Sequence, residues 1–195
     1  MTRQATVVRT TRETDISVTV DLDGTGTASV STGIGLYDHL LESFAHHSLI
    51  DVAVSAAGDL ERDDHHTVED VALALGQALA EALGDRAGIE RFGEASVPMD
   101  EAIARAVVDL SGRPYAVLDL RFGGDRIGEL STQMIPHALE SFVRTSGVTL
   151  HLKARGRNDH HVAEAAFKAL ARALRTAIAL DARRTGVPST KGTLG

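Results

Sequence analysis

Two segments of the sequence, DDHHTVEDVALALGQAL (63–79) and NDHHVAEAAFKALARAL (158–174), follow one pattern. Each contains Asp-His-His, two spacer residues and a glutamate, and then continues as an apolar run at helical spacing. Self-similarity inside one chain indicates a repeated structural unit. The pair therefore suggests a duplicated fold, and it raises the question of why a histidine pair recurs with a glutamate at fixed spacing.

The repeat extends well upstream of the histidine pairs. DHLLESFA (38–45) precedes the first pair and PHALESFV (136–143) precedes the second. Further back, ETDISVTVDLDG (13–24) matches EAIARAVVDLSG (101–112) without a gap. Because the blocks keep one order in both halves, we predict a first half-domain at 1–92, a second at 93–187 and a C-terminal tail at 188–195.

Local patterns predict a similar element order in both halves. In the first half we expect a strand at 16–20, a hairpin turn at DGTGT (23–27), a return strand at 28–31, a helix at 36–47, a strand at 49–55 and a helix at 65–83. In the second half we expect strands at 103–110 and 115–121 around an SGRP turn, a helix at 132–146, a strand at 148–154 and a helix at 160–181. This order predicts an α+β fold with helices on one face of each sheet.

The composition excludes several classes of protein. The 195 residues are 43% hydrophobic but only 4% aromatic, so the core must consist mainly of Val, Leu, Ile and Ala. A net charge of −7 argues against a nucleic-acid partner, and the lack of cysteine excludes disulfides, Cys-based zinc sites and cysteine nucleophiles. No apolar run approaches the length of a membrane span, and the N-terminus has no apolar signal core. We therefore expect a cytoplasmic protein without a membrane partner.

The histidine blocks predict two metal sites. On a helix, residues i and i+4 share a face, so His65 can hold an ion together with Glu69, and His160 can do so with Glu164. Adjacent residues diverge by about 100°, so the second histidine of each pair must face a different ion. The HLLESF and HALESF blocks would add one imidazole each. The predicted ligands are His39, His65, His66, Glu69, His137, His160, His161 and Glu164.

Imidazole and carboxylate ligands suit Mn, Fe, Zn or Ni better than Mg. A single histidine pair at a helix start is usually a solvated turn or a cap, but both copies here keep the same His and Glu positions. Ligand histidines commonly have a hydrogen-bond acceptor behind them. Asp38, Asp64 and Asp159, each next to a ligand histidine, are candidates for this role and, equally, for solvated helix caps. A non-catalytic metal-binding protein and a different di-metal lyase or hydrolase remain alternatives.

Six blocks together resemble the imidazoleglycerol-phosphate dehydratase family of histidine biosynthesis, in its monofunctional form. They are DHLLESFAHH, DDHHTVEDVALALG, VPMDEAIARAVVDLSGRPY, FGGDRIGELS, NDHHVAEAAFKALARAL and GVPSTKG. The resemblance implies two related halves, each a four-stranded sheet with two helices, packed with the helices inward. It also implies a homo-oligomer of twenty-four subunits, active sites at subunit contacts and two Mn²⁺ per site. The family's metal ligands fall on the eight residues named above, and its substrate-contacting positions fall on Glu13, Arg91, Arg113, Ser189, Thr190 and Lys191.

The implied reaction removes water from imidazoleglycerol phosphate, a phosphorylated imidazole, and gives imidazoleacetol phosphate. The proton to be lost is hardly acidic, and a general base alone would contribute only about 10²–10⁴-fold. Two ions, one on each ring nitrogen, would stabilise the imidazolate, which can then expel the neighbouring hydroxyl. By the internal symmetry, we predict one ion at His65, Glu69, His137 and His161, and the other at His66, His39, His160 and Glu164.

The resemblance also implies roles for the remaining site residues. We predict that Glu13 is the catalytic carboxylate that transfers the proton. Arg91 and Arg113 would bind the substrate phosphate through charge-assisted hydrogen bonds. The Ser189-Thr190-Lys191 segment would become ordered over that phosphate.

Overall fold

Two four-stranded sheets of matching topology enclose a layer of four helices in the computed structural model, which describes residues 2–194. The first half contains β1 (Gln4–Thr10), β2 (Thr14–Asp21), β3 (Ala28–Ser31), α1 (Gly35–Ser48), β4 (Asp51–Gly58) and α2 (His65–Leu83). The second half contains β5 (Phe92–Met99), β6 (Ala102–Asp109), β7 (Tyr115–Leu120), the short β8 (Arg126–Ile127) and β9 (Leu130–Ser131), α3 (Met134–Ser146), β10 (Thr149–Arg155) and α4 (Asp159–Ala177).

The two large sheets have equivalent strand orders, β1-β2-β4-β3 and β5-β6-β10-β7. In each sheet three strands are antiparallel, and the fourth pairs in parallel with the strand that precedes the last helix. The predicted α+β fold with duplicated halves and inward-facing helices is therefore confirmed. The exact boundaries between the halves and the tail stay a prediction.

One predicted connection is wrong. The DGTGT segment does not form a hairpin that returns along β2, because β3 pairs in parallel with β4 instead. The carboxylate of Asp51 explains the path, since its Oδ1 accepts the backbone N–H groups of Thr25 at 2.8 Å and Thr27 at 2.7 Å. These bonds hold the glycine segment across the end of β4, so the chain continues to the far edge of the sheet.

The helices cross-connect the two halves. The pairs that pack together are α1 with α4 and α2 with α3, so each pair combines one helix from each half. At their centre Phe44 of α1 meets Phe142 of α3 edge to face, with ring centroids 6.3 Å apart. Alanines fill much of the α4 face, with Ala163, Ala166 and Ala169 fully buried, and such small side chains permit close packing on the sheet. In the described part of the chain, no helix has both the length and the apolar character needed to cross a membrane.

Candidate metal centre

The first half of α4 and the start of α1 form one histidine–carboxylate cluster. Possible ligand atoms of His39, His160 and Glu164 all lie within 4.8 Å of one another. The Oε2 atom of Glu164 is 3.5 Å from His39 Nε2 and 3.3 Å from His160 Nε2. The side chain of Asn158 accepts a hydrogen bond from the backbone of His160, which fixes the start of α4 and so the direction of its first turn.

The starts of α2 and α3 form an equivalent cluster. The ligand atoms of His65, Glu69 and His137 also lie within 4.8 Å of one another. Glu69 Oε2 is 3.7 Å from His65 Nε2, and Glu69 Oε1 is 3.6 Å from His137 Nε2. Each cluster thus takes a His and a Glu, four residues apart, from the last helix of one half and a third ligand from the other half. The crossed helix pairing of the fold is what creates this arrangement.

An unpaired buried nitrogen tests whether these residues fit a metal. Within residues 2–194, His137 Nε2 is buried and has no hydrogen-bond partner. Leaving a buried polar atom unpaired costs about 1–3 kcal/mol, and a cation that accepts the nitrogen lone pair removes this penalty. Two imidazoles and one carboxylate form a ligand set suited to Mn, Fe or Zn. The residues present therefore fit a divalent transition metal.

A basic side chain lies next to each cluster glutamate. Lys168 Nζ lies 2.5 Å from Glu164 Oε1, and Arg144 Nη2 lies 3.2 Å from Glu69 Oε1. Burial of Glu164 raises the pKa of its carboxyl, but the hydrogen bond and charge of Lys168 and those of His39 outweigh burial, so the pKa lies below its ordinary value. The carboxylate is therefore available as a metal ligand at neutral pH.

The second histidine of each pair faces away from both clusters. His66 Nδ1 lies 3.1 Å from both carboxylate oxygens of Asp59, and His161 Nδ1 lies 2.9 Å from Glu101 Oε2. Adjacent rings are almost perpendicular, at 84° for His65 and His66 and 80° for His160 and His161. A single chain consequently brings together three of the four ligands predicted for each ion.

The carboxylates also change the acid–base properties of these histidines. The hydrogen bond to Asp59 raises the pKa of His66, and the bond to Glu101 raises the pKa of His161. In return, the bond from His161, together with the backbone N–H groups of Asn158, of Arg157 and of Glu101 itself, lowers the pKa of Glu101 to about 2. The predicted acceptors Asp38, Asp64 and Asp159 are wrong, because these side chains accept hydrogen bonds from Thr32, Ser131 and Gly123–Gly124 and so hold loops in place.

Glu13, in the bend just before β2, lies near Nε2 of His66, whereas Asp59 lies near Nδ1. Its Oε2 atom lies 3.7 Å from His66 Nε2, and about half of its side chain (46%) is exposed. Glu13, Asp59 and His66 have possible ligand atoms within 4.8 Å of one another. Sequence reasoning selected Glu13 and overlooked Asp59, which lies in the loop after β4, outside the repeated blocks.

The predicted phosphate-binding residues lie together at the far end of β6. Arg91 donates from Nε and Nη2 to the two oxygens of Asp109, at 2.7 and 3.1 Å, and from Nη1 to the carbonyl of Pro188 at 2.8 Å. Arg113 Nη2 is 3.7 Å from the same aspartate, and its side chain is 66% exposed. Ser189, Thr190 and Lys191 follow Pro188 directly. At about 3.3 Å per residue, β6 separates this group from Glu101 by about 25 Å.

Comparison with known proteins shows the family to which the chain belongs. A family profile described as imidazoleglycerol-phosphate dehydratase matches residues 32–174. The chain belongs to this family. Family membership also makes it a lyase of the hydro-lyase class.

Relatives and solved structures match over nearly the whole chain. Imidazoleglycerol-phosphate dehydratase of Rhodopseudomonas palustris (strain ATCC BAA-98 / CGA009) is 54% identical over 195 residues, which is 99% of both chains. The protein of that name from Methanocella arvoryzae is 54% identical over 192 residues, covering 98% of this chain and 100% of the other. The crystal structure from Staphylococcus aureus N315 superposes with a TM-score of 0.83 at 33% identity, covering 91% of this chain and 99% of the other. The structure from Pyrococcus furiosus in complex with (S)-C348 gives 0.82 at 36% identity, covering 96% and 100%.

Proposed function

We propose that the protein converts imidazoleglycerol phosphate to imidazoleacetol phosphate and water, a step in the biosynthesis of L-histidine. The observation that carries this proposal is the pair of equivalent clusters, each with two imidazoles and one carboxylate. A substrate imidazole has two ring nitrogens, and two like metal sites match two like nitrogens. Family membership, and the two relatives named imidazoleglycerol-phosphate dehydratase at 54% identity, support the same substrate.

We further propose that each active site uses two Mn²⁺ ions. His65, Glu69 and His137 would hold one ion, and His39, His160 and Glu164 would hold the other. When bound, the ions would supply Lewis-acid stabilisation of negative charge on the substrate ring. His161 and His66, which face away from the clusters of their own chain, would complete the clusters of neighbouring copies. Active sites at subunit contacts in a homo-oligomer, of twenty-four subunits as the resemblance implies, would follow from this exchange.

Glu13 is the residue we propose for proton transfer. Its carboxylate is accessible, and it lies beside a proposed ligand histidine without being held in a short hydrogen bond to it. Oε2 of Glu13 would accept the proton from the carbon next to the one that loses its hydroxyl. The position next to His66 would keep this oxygen close to the substrate ring.

At the other end of the substrate, Arg113 and Lys191 would provide charge for the phosphate. Arg91 already donates hydrogen bonds to Asp109 and to the Pro188 carbonyl, so it would hold the adjoining Ser189-Thr190-Lys191 segment in position. It would bind the phosphate itself by replacing one of these hydrogen bonds with a bond to a phosphate oxygen. This group lies about 25 Å from Glu101, which contacts the proposed ligand His161. A site that uses both His161 and this phosphate-binding group would therefore need residues from more than one copy. That requirement supports the proposed oligomer.

Incubation of the Mn²⁺-loaded protein with imidazoleglycerol phosphate tests the function. The expected result is release of the enolisable ketone, with no reaction of a matching phosphorylated polyol that lacks the imidazole. A different di-metal lyase or hydrolase would also convert the compound without the ring. A protein that only binds metal would convert neither, and either outcome would contradict the proposal.

Glu13→Gln tests the proton transfer separately. The amide keeps the size of the side chain but cannot accept the proton, so turnover should fall by at least 10²-fold, the lower range of general-base catalysis. Manganese content, measured by atomic absorption, should equal that of the unchanged protein. Turnover close to the original rate would remove Glu13 from the mechanism.

A further inference from the structure

Two glutamates at equivalent positions of the repeat have different contacts. Glu101 uses Oε2 to contact His161 Nδ1 at 2.9 Å, and its Oε1 accepts the backbone N–H groups of Arg157 at 3.0 Å and Asn158 at 2.8 Å. Glu13, its counterpart in the first half, lies on the opposite side of the equivalent histidine, 3.7 Å from Nε2 of His66. Duplication alone would have given both glutamates the same partner atom.

In the first half, the Nδ1 contact is made by Asp59. Both of its oxygens lie 3.1 Å from His66 Nδ1, and only 12% of its side chain is exposed. Asp59 comes from the loop after β4, whereas Glu101 lies in the turn between β5 and β6. Two carboxylates of different origin therefore occupy equivalent places behind His66 and His161.

We propose that Asp59 and Glu101 are positioning residues that hold His66 and His161 for metal binding through Nε2, and that Asp59, by taking this place in the first half, frees Glu13 for proton transfer. This inference rests on the proposed metal centre. An imidazole that donates Nδ1–H to a carboxylate is fixed in orientation and keeps its lone pair on Nε2, and the carboxylate increases the basicity of that nitrogen. His66 and His161 are the two proposed ligands that each chain presents away from its own clusters, so their direction has to be fixed by other contacts.

The contacts differ from ordinary surface ion pairs in two respects. The same ring atom is paired in both halves, although neither the element nor the type of acid is the same. Glu101 is itself held by two backbone N–H groups, and Asp59 is largely buried, so each acid offers a fixed acceptor. A fixed acceptor behind a ligand typically contributes about 10- to 100-fold to metal affinity.

Mn²⁺ titration of the full-length protein tests the proposal, with affinity and stoichiometry measured by electron paramagnetic resonance of free Mn²⁺. Asp59→Ala and Glu101→Gln should each weaken binding about 10- to 100-fold. Glu101→Gln acts because one of its two terminal atoms becomes a donor, so it cannot accept from both His161 and the loop. Asp59→Asn, which keeps one acceptor oxygen, should recover part of the affinity lost in Asp59→Ala.

Two matched variants serve as comparisons. Glu13→Gln removes the carboxylate that corresponds to Glu101 in the first half of the repeat. Glu61→Gln removes an exposed charge two residues from Asp59. Both should bind Mn²⁺ as the unchanged protein does. The thermal midpoint of every variant is measured in parallel, because a merely structural role for Asp59 or Glu101 would lower this midpoint and leave the Mn²⁺ affinity of the folded protein unchanged.

Each result has a defined meaning. If Asp59→Ala and Asp59→Asn both bind Mn²⁺ normally, Asp59 does not position His66 and the inference is wrong. If Glu13→Gln weakens Mn²⁺ binding as much as Glu101→Gln does, Glu13 contributes to metal binding and is not free for proton transfer. The same conclusion follows if Glu13→Gln and Asp59→Ala each lower the Mn²⁺ stoichiometry through loss of the same ion. If the unchanged protein neither binds Mn²⁺ nor converts imidazoleglycerol phosphate, the proposed function itself fails.

Discussion

A single carboxylate, that of Asp51, determines where the chain goes after β2. It accepts two backbone N–H groups from the segment between β2 and β3, the first at Thr25 and the second at Thr27. These bonds, that of Thr27 above all, outweigh the opposing effect of burial and lower the pKa of Asp51. Because the folded-state pKa lies below the unfolded value of about 3.9, this carboxylate stabilises the fold above that pH, and the contribution disappears as the pH falls through the folded-state pKa.

Asp51→Asn should therefore lower the thermal midpoint at pH 7, and the difference from the unchanged protein should shrink as the pH falls from 5 to 3. The amide has only one acceptor oxygen and no charge, so its bonds to the two N–H groups are weaker and do not titrate. Thermal unfolding followed by circular dichroism at fixed ionic strength measures the effect, with Glu61→Gln as a control for loss of an exposed charge. A difference that stays constant between pH 7 and pH 3 would contradict this explanation.

At the scale of elements, the contact between α2 and α3 depends on Gly76. A Cβ atom at this position would lie 2.4 Å from the carbonyl oxygen of Phe142 and 2.3 Å from Thr145 Oγ1. The hydroxyl of Thr145 also donates to the carbonyl of Leu73 at 2.8 Å, so the two helices approach each other closely at this point. This close approach holds the start of α2, with His65 and Glu69, beside His137.

Gly76→Ala consequently sets two effects against each other. Alanine is favoured over glycine in a helix by about 1 kcal/mol, whereas forcing extra volume into a packed contact costs about 1–3 kcal/mol. Because the obstructing atom belongs to the backbone of α3, we expect the clash to dominate and the free energy of unfolding to fall. Urea denaturation measures the change, and Gln77→Ala, at an exposed position of the same helix, should stay within about 0.5 kcal/mol of the unchanged protein. A more stable Gly76→Ala protein would show that α2 and α3 can separate freely.

The C-terminal segment is the second element with a testable role. Arg91 donates to the carbonyl of Pro188, the residue before 189–191, and also binds Asp109, the aspartate that the exposed Arg113 approaches. Removal of residues 188–195 should raise KM for imidazoleglycerol phosphate sharply and leave the Mn²⁺ content unchanged, because the phosphate would lose its lysine and hydroxyl donors. Steady-state kinetics with the truncated protein test this expectation, and an unchanged KM would exclude a role for the segment in substrate binding.

Local patterns predicted the helices well, because helix formation depends on neighbours three and four residues away. The structure has α2 at His65–Leu83, as the spacing predicted, and α4 at Asp159–Ala177 where 160–181 was expected. The residue pattern did not indicate the outer strands β1 and β5. In β1 only Val7 is buried, so its alternation is weak, and β5 contains Gly93 and Pro98. The parallel partner of β3 was missed because it depends on the long-range bonds of Asp51.

The same distinction applies to the site. The His and Glu pairs at spacing i, i+4 are local and can be identified in the sequence, and the repeat indicates the third member of each cluster. The contact between Asp59 and His66 depends on how the loop after β4 folds back onto α2, which no local pattern specifies. The adjacent aspartates Asp38 and Asp159 were selected by proximity in sequence, yet their carboxylates accept hydrogen bonds from residues 32 and 123–124.

At the scale of the whole molecule, residues 2–194 contain two clusters of two imidazoles and one carboxylate, and a third group formed by Glu13, Asp59 and His66. His66 and His161 are paired through Nδ1 with carboxylates outside the two imidazole clusters. If neighbouring copies exchange these histidines, as we propose, each ion links two chains. Binding of metal to the assembly then adds to its stability by mass action, by about 2.7 kcal/mol for each ion at a free concentration one hundred times Kd. If all ligands of an ion came from one chain, metal binding would not stabilise the contact between subunits in this way.

Chelation should therefore break the assembly into smaller species. Size-exclusion chromatography with light scattering, before and after dialysis against a chelator, measures the particle mass. Addition of Mn²⁺ should restore the larger particle, whereas Mg²⁺ should not, because it binds oxygen ligands in preference to imidazole. His66→Ala should weaken the response of assembly to Mn²⁺, since it removes one of the exchanged ligands and leaves both three-residue clusters of its own chain intact. A full-sized particle without ions would show that other contacts hold the subunits together and that metal does not link them.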